Sequence, residues 1–189
     1  MSTETTETEP QAHELDAIAE TIKRDEDAYV VPEELLVEPE KDKPLNPSLY
    51  NQILHMKVGE KLKLALKGNK EARTILVRDA NRLIQRFVLQ NPRISDEEIL
   101  AMAKNRSIDQ DLLRKIGEHR NWPRNPQIRQ ALVTNPKTPL ATALPLVSQL
   151  AERDLRFIAR SRNVSATVVT QARRLLFQRE KKLGERMGG

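Results

Sequence analysis

From residue 47 to about residue 182, apolar residues recur at the spacing of amphipathic helices. Leu49, Ile53 and Leu54 share one face of a first helix, and Gly68 ends a second. The alternating β-branched runs that indicate strands are missing. The pattern predicts an all-α fold built from short helices.

One ten-residue phrase occurs four times in this region. Its copies are RFVLQNPRIS from Arg86, RKIGEHRNWP from Arg114, QALVTNPKTP from Gln130 and RFIARSRNVS from Arg156. The third position is always a large aliphatic residue, and the later positions hold helix breakers and caps. Ser95 and Glu98 also fit a capping box. The starts lie 28, 16 and 26 residues apart, and this repetition predicts an array of helical units with uneven curvature.

The N-P-x-x-P/S junctions of this phrase resemble those of leucine-rich-repeat-variant and HEAT-like α-solenoid proteins. They occur in RFVLQNPRISDEEILAMAKN and in RNPQIRQALVTNPKTPLATALPLV, and the resemblance covers roughly residues 70–180. The stretch GNKEAR, from Gly68 to Arg73, is similar to the opening of a group of uncharacterised bacterial helical-repeat proteins. These resemblances imply an irregular right-handed α-solenoid of short helices, and they imply no activity.

Charge divides the chain into an acidic arm and a basic body. Residues 1–46 carry 14 Asp/Glu against 4 Lys/Arg, and residues 47–189 carry 13 against 28, so the net charges are −10 and +15. We therefore expect a disordered acidic arm over residues 1–46, a helical-repeat domain over residues 47–182 and a flexible tail over residues 183–189. One short helical face interrupts the arm, formed by Leu15, Ile18, Ala19 and Ile22.

Three hypotheses are open for the arm: it is a solubilising tail, a docking peptide for a partner, or a segment that folds back onto the basic body. Two apolar islands among its acids and prolines are the candidate docking residues, namely Tyr29, Val30, Val31, Leu35, Leu36 and Val37.

Composition argues against several kinds of function. The chain has no cysteine, which excludes disulfides, thiolate metal sites and a cysteine nucleophile. Its three histidines, His13, His55 and His119, form no metal-spaced pair. No long apolar stretch or signal-peptide pattern is present, so a soluble cytoplasmic protein is expected. We expect no cofactor, no metal and no enzymatic activity.

Arginines supply the candidate binding surface. The first column of the phrase and its neighbours predict a ridge if the units stack in register, consisting of Arg82, Arg86, Arg114, Arg129, Arg156 and Arg160. Guanidinium groups suit carboxylates and phosphates, although a solvated polar face explains the same pattern. Phe87 and Phe157 share the second column and are expected in the core, which leaves few aromatic side chains to stack on bases.

The leading hypothesis is a non-enzymatic scaffold or adaptor that binds an acidic segment of a partner protein. The alternative is a binder of duplex nucleic acid that uses the Arg ridge, with the acidic arm as an internal competitor. Neither hypothesis decides whether the arm contacts the body. Association with a membrane ranks behind both hypotheses.

Overall fold

A computed structural model describes residues 12–38 and 47–187, and within these ranges every regular element is a helix. The all-α prediction is confirmed for this part of the chain. The chain separates into two compact units, Met1–Ile94 and Ser95–Gly189. This division does not test the boundaries expected from composition, which stay a prediction.

Within residues 12–38 and 47–94, the first unit contains five α-helices and a 3₁₀ turn over Glu33–Leu35. The helices are α1 (Ala12–Lys23), α2 (Pro47–His55), α3 (Val58–Lys67), α4 (Lys70–Leu76) and α5 (Arg82–Val88). The described part of the second unit, residues 95–187, contains six α-helices and a 3₁₀ turn over Trp122–Arg124. These helices are α6 (Asp96–Lys104), α7 (Gln110–Glu118), α8 (Pro126–Thr134), α9 (Leu140–Ser148), α10 (Glu152–Ala159) and α11 (Ala166–Met187).

Polar caps define where several of these helices begin. The capping box at α6 is confirmed: Ser95 Oγ accepts from the Glu98 amide at 3.3 Å, and Glu98 Oε2 accepts from the Ser95 amide at 3.0 Å. Side-chain oxygens also cap α4, α5, α7 and α8, from Asn69, Asn81, Asp109 and Asn125. Because each cap satisfies amides that the first turn leaves unpaired, these short helices have well-defined starts.

The acidic segment 12–38 is part of the first unit, which differs from the disordered arm expected over residues 1–46. Helix α1 packs on α3 and buries Leu15, Ala19 and Ile22, three of the four residues predicted to share a face. An apolar face of this kind orders the segment because α3 covers it. Residues 1–11 and 39–46 lie outside the described residues, so the expectation for them is untested.

The C-terminal helix reaches further than the predicted tail boundary. Helix α11 runs to Met187, so residues 183–187 of the expected tail are helical, and Gly188 and Gly189 lie outside the described residues. Helix α11 packs on α9 and α10, and its first two turns bury the side chains of Val168, Val169 and Ala172.

A buried asparagine in two copies of the repeated phrase links two helix ends. Asn91 Nδ2 donates to the carbonyls of Ala65 and Gly68, each at 3.1 Å, at the end of α3. In the second unit Asn135 Nδ2 donates in the same way to Ala103 at 2.8 Å and Asn105 at 3.0 Å, at the end of α6. Each amide thus satisfies carbonyls that a helix terminus leaves without a partner.

The other two copies of the phrase make only local hydrogen bonds at this position, accepted from backbone amides of the same turn. Asn91 and Asn135 accept from the amide two residues ahead through Oδ1. Ser161 Oγ accepts from the Asn163 amide at 3.3 Å, and His119 Nδ1 accepts from the Asn121 amide at 3.3 Å. The repeated position is therefore a turn acceptor in all four copies and a cross-link between helices in two.

Candidate functional site

The second unit has an open cleft of about 520 Å³. Its walls come from the end of α6, from α8 and α10, and from the loop after α10. The lining residues are Lys104, Arg106, Gln127, Gln130, Ala131, Thr134, Asn135, Phe157, Ser161, Asn163 and Val164. A second depression shares Phe157, Ser161 and Asn163 with it and adds three arginines, namely Arg156, Arg160 and Arg162.

Phe157 lies on the surface between these depressions, so its predicted place in the core is wrong. Its exposed fraction is 63%, whereas that of Phe87, in the same column of the phrase, is 1%. Helix α5 buries Ile84, Phe87 and Val88, but α10 buries Leu155, Ile158 and Ala159. Compared with α5, the buried face of α10 is shifted by one residue along the phrase, which is a rotation of roughly 100° about the helix axis. That rotation turns Phe157 outward.

Five cationic side chains line the two depressions that share this phenyl ring, and the described lining of neither contains an acidic residue. Lys104, Arg106, Arg156, Arg160 and Arg162 are all exposed. Amide side chains of Gln127, Gln130 and Asn163 add hydrogen-bonding groups to the walls. The arrangement combines one apolar anchor with positive charge, which suits an anionic ligand that also carries an apolar or aromatic group.

The six candidate arginines are divided between the two units. Arg82 and Arg86 belong to the first unit and the other four to the second. Arg86 pairs with Asp16 at 3.0 Å, Arg114 with Glu118 at 3.1 Å, and Arg156 with Glu152 at 2.5 Å. These pairs are exposed, and surface pairs of this kind stabilise by only about 0.2–1 kcal/mol, so a stronger anion can replace the partner.

Of the six, the structure brings Arg156 and Arg160 to one depression. Arg129 is half-buried and donates to the Pro123 carbonyl at 3.3 Å, within a turn of its own unit. The residues that reasoning from the phrase missed are Lys104, Arg106, Asn163 and, as a surface group, Phe157. The density of arginine around Phe157, in RFIARSRN, is the signal that could have pointed to them.

The net charge is unequal between the units. The first unit carries 17 Asp/Glu and 14 Lys/Arg, a net of −3, while the second carries 10 and 18, a net of +8. Acidic residues of segment 12–38 pair with bases of the first unit, as Asp16 does with Arg86 and Asp27 with Lys63 at 2.9 Å. The excess positive charge of the chain therefore belongs to the unit that contains the cleft.

The candidate docking residues of the arm have unequal environments. Leu35 is fully buried, and Tyr29, Val31 and Leu36 are half-buried. Val30 and Val37 remain exposed. The Tyr29 ring lies directly over Gly59 of α3, where an added Cβ would come within 2.1 Å of the ring. Glycine at this position permits the close approach of the segment to α3.

Two carboxylates of this segment have lowered pKa values. Burial raises the pKa of Asp27, but hydrogen bonds from Lys63 and the Tyr29 amide, with the lysine charge, hold it below the ordinary 3.8. Burial likewise raises the pKa of Glu38, and Arg73, the Lys70 amide and the charge of Arg93 outweigh it, so this pKa lies below 4.5.

Acid should weaken the attachment of this segment. Because both folded pKa values are lowered, the two carboxylates stabilise the fold fully above their ordinary pKa values, and this contribution is lost as the pH falls through the folded ones. Asp27→Asn and Glu38→Gln should therefore be less stable than the wild type at about pH 6, with differences that shrink towards about pH 3. Urea unfolding followed by tyrosine fluorescence measures this, and a constant difference across the range would contradict it.

Within residues 12–38 and 47–187, no three His, Asp or Glu side chains are placed to hold a metal ion. No helix in these ranges has the length and hydropathy needed to cross a bilayer. His119 stacks on Trp122 with ring centroids 3.7 Å apart, beside the turn that precedes α8.

Comparison with known proteins finds no family model, no curated protein and no solved structure that matches the chain.

Proposed function

We propose that this protein is a non-enzymatic adaptor, whose second unit binds an acidic segment of a partner protein in the cleft beside Phe157. The observation that carries the proposal is the 63% exposed phenyl ring among five exposed cations. Aromatic residues, phenylalanine among them, and arginine are enriched at protein interfaces relative to the rest of the surface. An acidic partner segment with an apolar side chain complements both features.

The distribution of charge supports binding of a separate partner protein by the second unit. Asp16, Asp27 and Glu38 of the acidic segment are paired with bases of the first unit. The second unit keeps its net charge of +8, which attracts an anionic partner and raises the rate of encounter.

The helical-repeat assignment belongs to the same proposal. The resemblance to leucine-rich-repeat-variant and HEAT-like proteins implies an irregular right-handed α-solenoid of short helices. Support for the repeat comes from Asn91 and Asn135, which occupy the same position of the phrase and make equivalent bonds in the two units. Adaptors built from helical repeats bind through extended surfaces rather than deep pockets.

Replacing Phe157 by alanine should weaken binding of an acidic peptide about tenfold, because the ring is the apolar anchor of the cleft. The probe is a short fluorescein-labelled peptide in which Asp/Glu alternate with Leu/Phe, titrated with the full chain and followed by fluorescence anisotropy. The matched control is Phe177→Ala, since Phe177 is 69% exposed on α11 and lies outside the cleft lining. Equal affinities for the two variants would argue against the cleft.

A second candidate function is nucleic-acid binding, and the exposure of Phe157 favours it as well. Basic grooves with an aromatic platform bind single strands by stacking, and arginine alone can bind the phosphates of a duplex. Labelled single-stranded and duplex DNA should be titrated beside the peptide at two salt concentrations. If DNA binds more tightly and Arg156→Ala with Arg162→Ala flattens its salt dependence, this function replaces the first.

A further inference from the structure

Residues Glu33–Glu38, here called the strap, lie against the junction of α3 and α4 in the first unit. Four consecutive strap carbonyls accept hydrogen bonds from that junction and from Arg93. Asn69 Nδ2 donates to Glu34 at 2.8 Å and to Val37 at 3.0 Å. The backbone amide of Asn69 donates to the Leu35 carbonyl at 2.7 Å, and Arg93 Nη1 donates to the Leu36 carbonyl at 2.9 Å. The strap thus begins with a 3₁₀ turn, and the body donates hydrogen bonds to its carbonyls from Glu34 to Val37.

Two strap side chains, those of Leu35 and Glu38, are held by the body. Leu35 is fully buried. Glu38 Oε1 accepts from Arg73 Nη1 at 2.6 Å, and Glu38 Oε2 accepts from the Lys70 amide at 2.9 Å. Glu34 and Val37 are exposed. The contacts therefore select a leucine and, three residues later, a glutamate.

The receiving residues are held by contacts that do not involve the strap. Asn69 Oδ1 caps α4 through the Ala72 amide at 3.0 Å, and Arg73 Nη1 also donates to the Gly68 carbonyl at 2.9 Å. Asn91 donates to the same Gly68 carbonyl, and Arg93 Nη2 donates to Lys67. A site that keeps its shape without its ligand loses little entropy on binding, which is the property of a preformed receptor.

From this geometry we infer that the face formed by Asn69, Arg73 and Arg93 is a peptide-binding site that the strap occupies in cis. Its ligand in trans is a short helical turn from another protein with Leu, two variable residues and Glu. Backbone recognition supplies affinity, and the buried leucine pocket and Arg73 supply specificity. This inference concerns the first unit and does not rest on the Phe157 cleft.

Tethering makes the strap a strong competitor. A short linker presents its segment at an effective concentration in the millimolar range, so a free peptide at micromolar concentration cannot displace it. The wild-type chain is therefore closed to such a peptide, and weakening the two anchors of the strap opens the site.

The test uses the full chain with the double substitution Leu35→Ala and Glu38→Gln. The probe is a fluorescein-labelled peptide of sequence PEELLVE, which corresponds to residues 32–38. We expect the variant to bind this peptide at least about tenfold more tightly than the wild type does, because the cis competitor is weakened. Two control peptides, with alanine for the first leucine or glutamine for the last glutamate, should bind poorly.

Matched substitutions at exposed strap positions, Glu34→Gln and Val37→Ala, should leave the wild-type behaviour unchanged. If the double variant gives a native circular dichroism spectrum and fails to bind the peptide, the strap is an ordinary part of the fold and the inference is overturned. Equal binding of the control peptides overturns it too. Should the double variant not fold, Glu38→Gln alone keeps Leu35 in place, and it must still gain affinity over the wild type.

Discussion

Replacing Asn135 by aspartate should lower the free energy of unfolding of the second unit by about 3 kcal/mol. The side chain is buried, and its amide nitrogen donates to the Ala103 and Asn105 carbonyls. Aspartate keeps the oxygen that accepts from the Lys137 amide at 3.0 Å but places a second oxygen against two carbonyls. The loss combines two unsatisfied acceptors with the cost of placing a charge among them.

Urea unfolding followed by tryptophan fluorescence measures this loss, because Trp122 is the single tryptophan of the chain and lies in the second unit. Asn121→Asp is the matched control: this asparagine is exposed and caps its turn without a side-chain hydrogen bond, so its change should stay within about 0.5 kcal/mol. Similar losses for the two variants would mean that the buried amide is not a cross-link.

Leu15→Ala in α1 should lower the stability of the first unit by about 3 kcal/mol, as expected for removal of a fully buried leucine side chain. The result separates the two accounts of the acidic segment. A disordered arm would tolerate this substitution without any change, whereas a helix packed on α3 loses apolar contact and leaves a cavity.

Both tyrosines, Tyr29 and Tyr50, lie in the first unit, so tyrosine fluorescence reports this loss. Limited trypsin digestion adds a second readout, since Lys23 ends α1 and should be cleaved faster in the variant. The matched control is Leu54→Ala on α2, where the leucine is 41% exposed. An unchanged Leu15→Ala protein would show that α1 adds nothing to the unit.

The two proposed binding surfaces differ in what they recognise. The cleft beside Phe157 is open and basic, and charge dominates its chemistry. The strap site in the first unit recognises backbone carbonyls and two side chains, which requires a defined sequence. A chain with both surfaces could join an acidic partner to one that carries a leucine and glutamate motif, which is the role expected of an adaptor.

Features that depend on near neighbours could be read from the residues alone. Helical periodicity predicted the all-α fold, and the spacing of Leu15, Ile18, Ala19 and Ile22 predicted the apolar face of α1, three residues of which are buried. The capping box of Ser95 and Glu98 followed from residues three positions apart. Each of these depends on φ, ψ and contacts within about one turn, which the local sequence controls.

The candidate site could not be predicted in the same way. The repeated phrase placed Phe157 beside Phe87 in a core column, but the buried face of α10 is rotated relative to that of α5. Which face of a short amphipathic helix is covered depends on the elements packed against it, and a rotation of one residue exposes an aromatic ring without any change in the local pattern.

Hydrogen-bond and ion-pair partners that lie far apart along the chain could not be predicted from the sequence either. Asn135 finds its acceptor at Ala103, 32 residues away, and Glu38 finds Arg73 at a distance of 35 residues along the chain. Composition alone made the acidic segment look disordered, because a stretch rich in acidic residues and prolines has few apolar side chains to bury. Tertiary packing orders residues 12–38 because α3 covers the apolar face of α1, and lysines and arginines of α3, α4 and α5 then pair with the carboxylates of the segment. No local pattern encodes either contact.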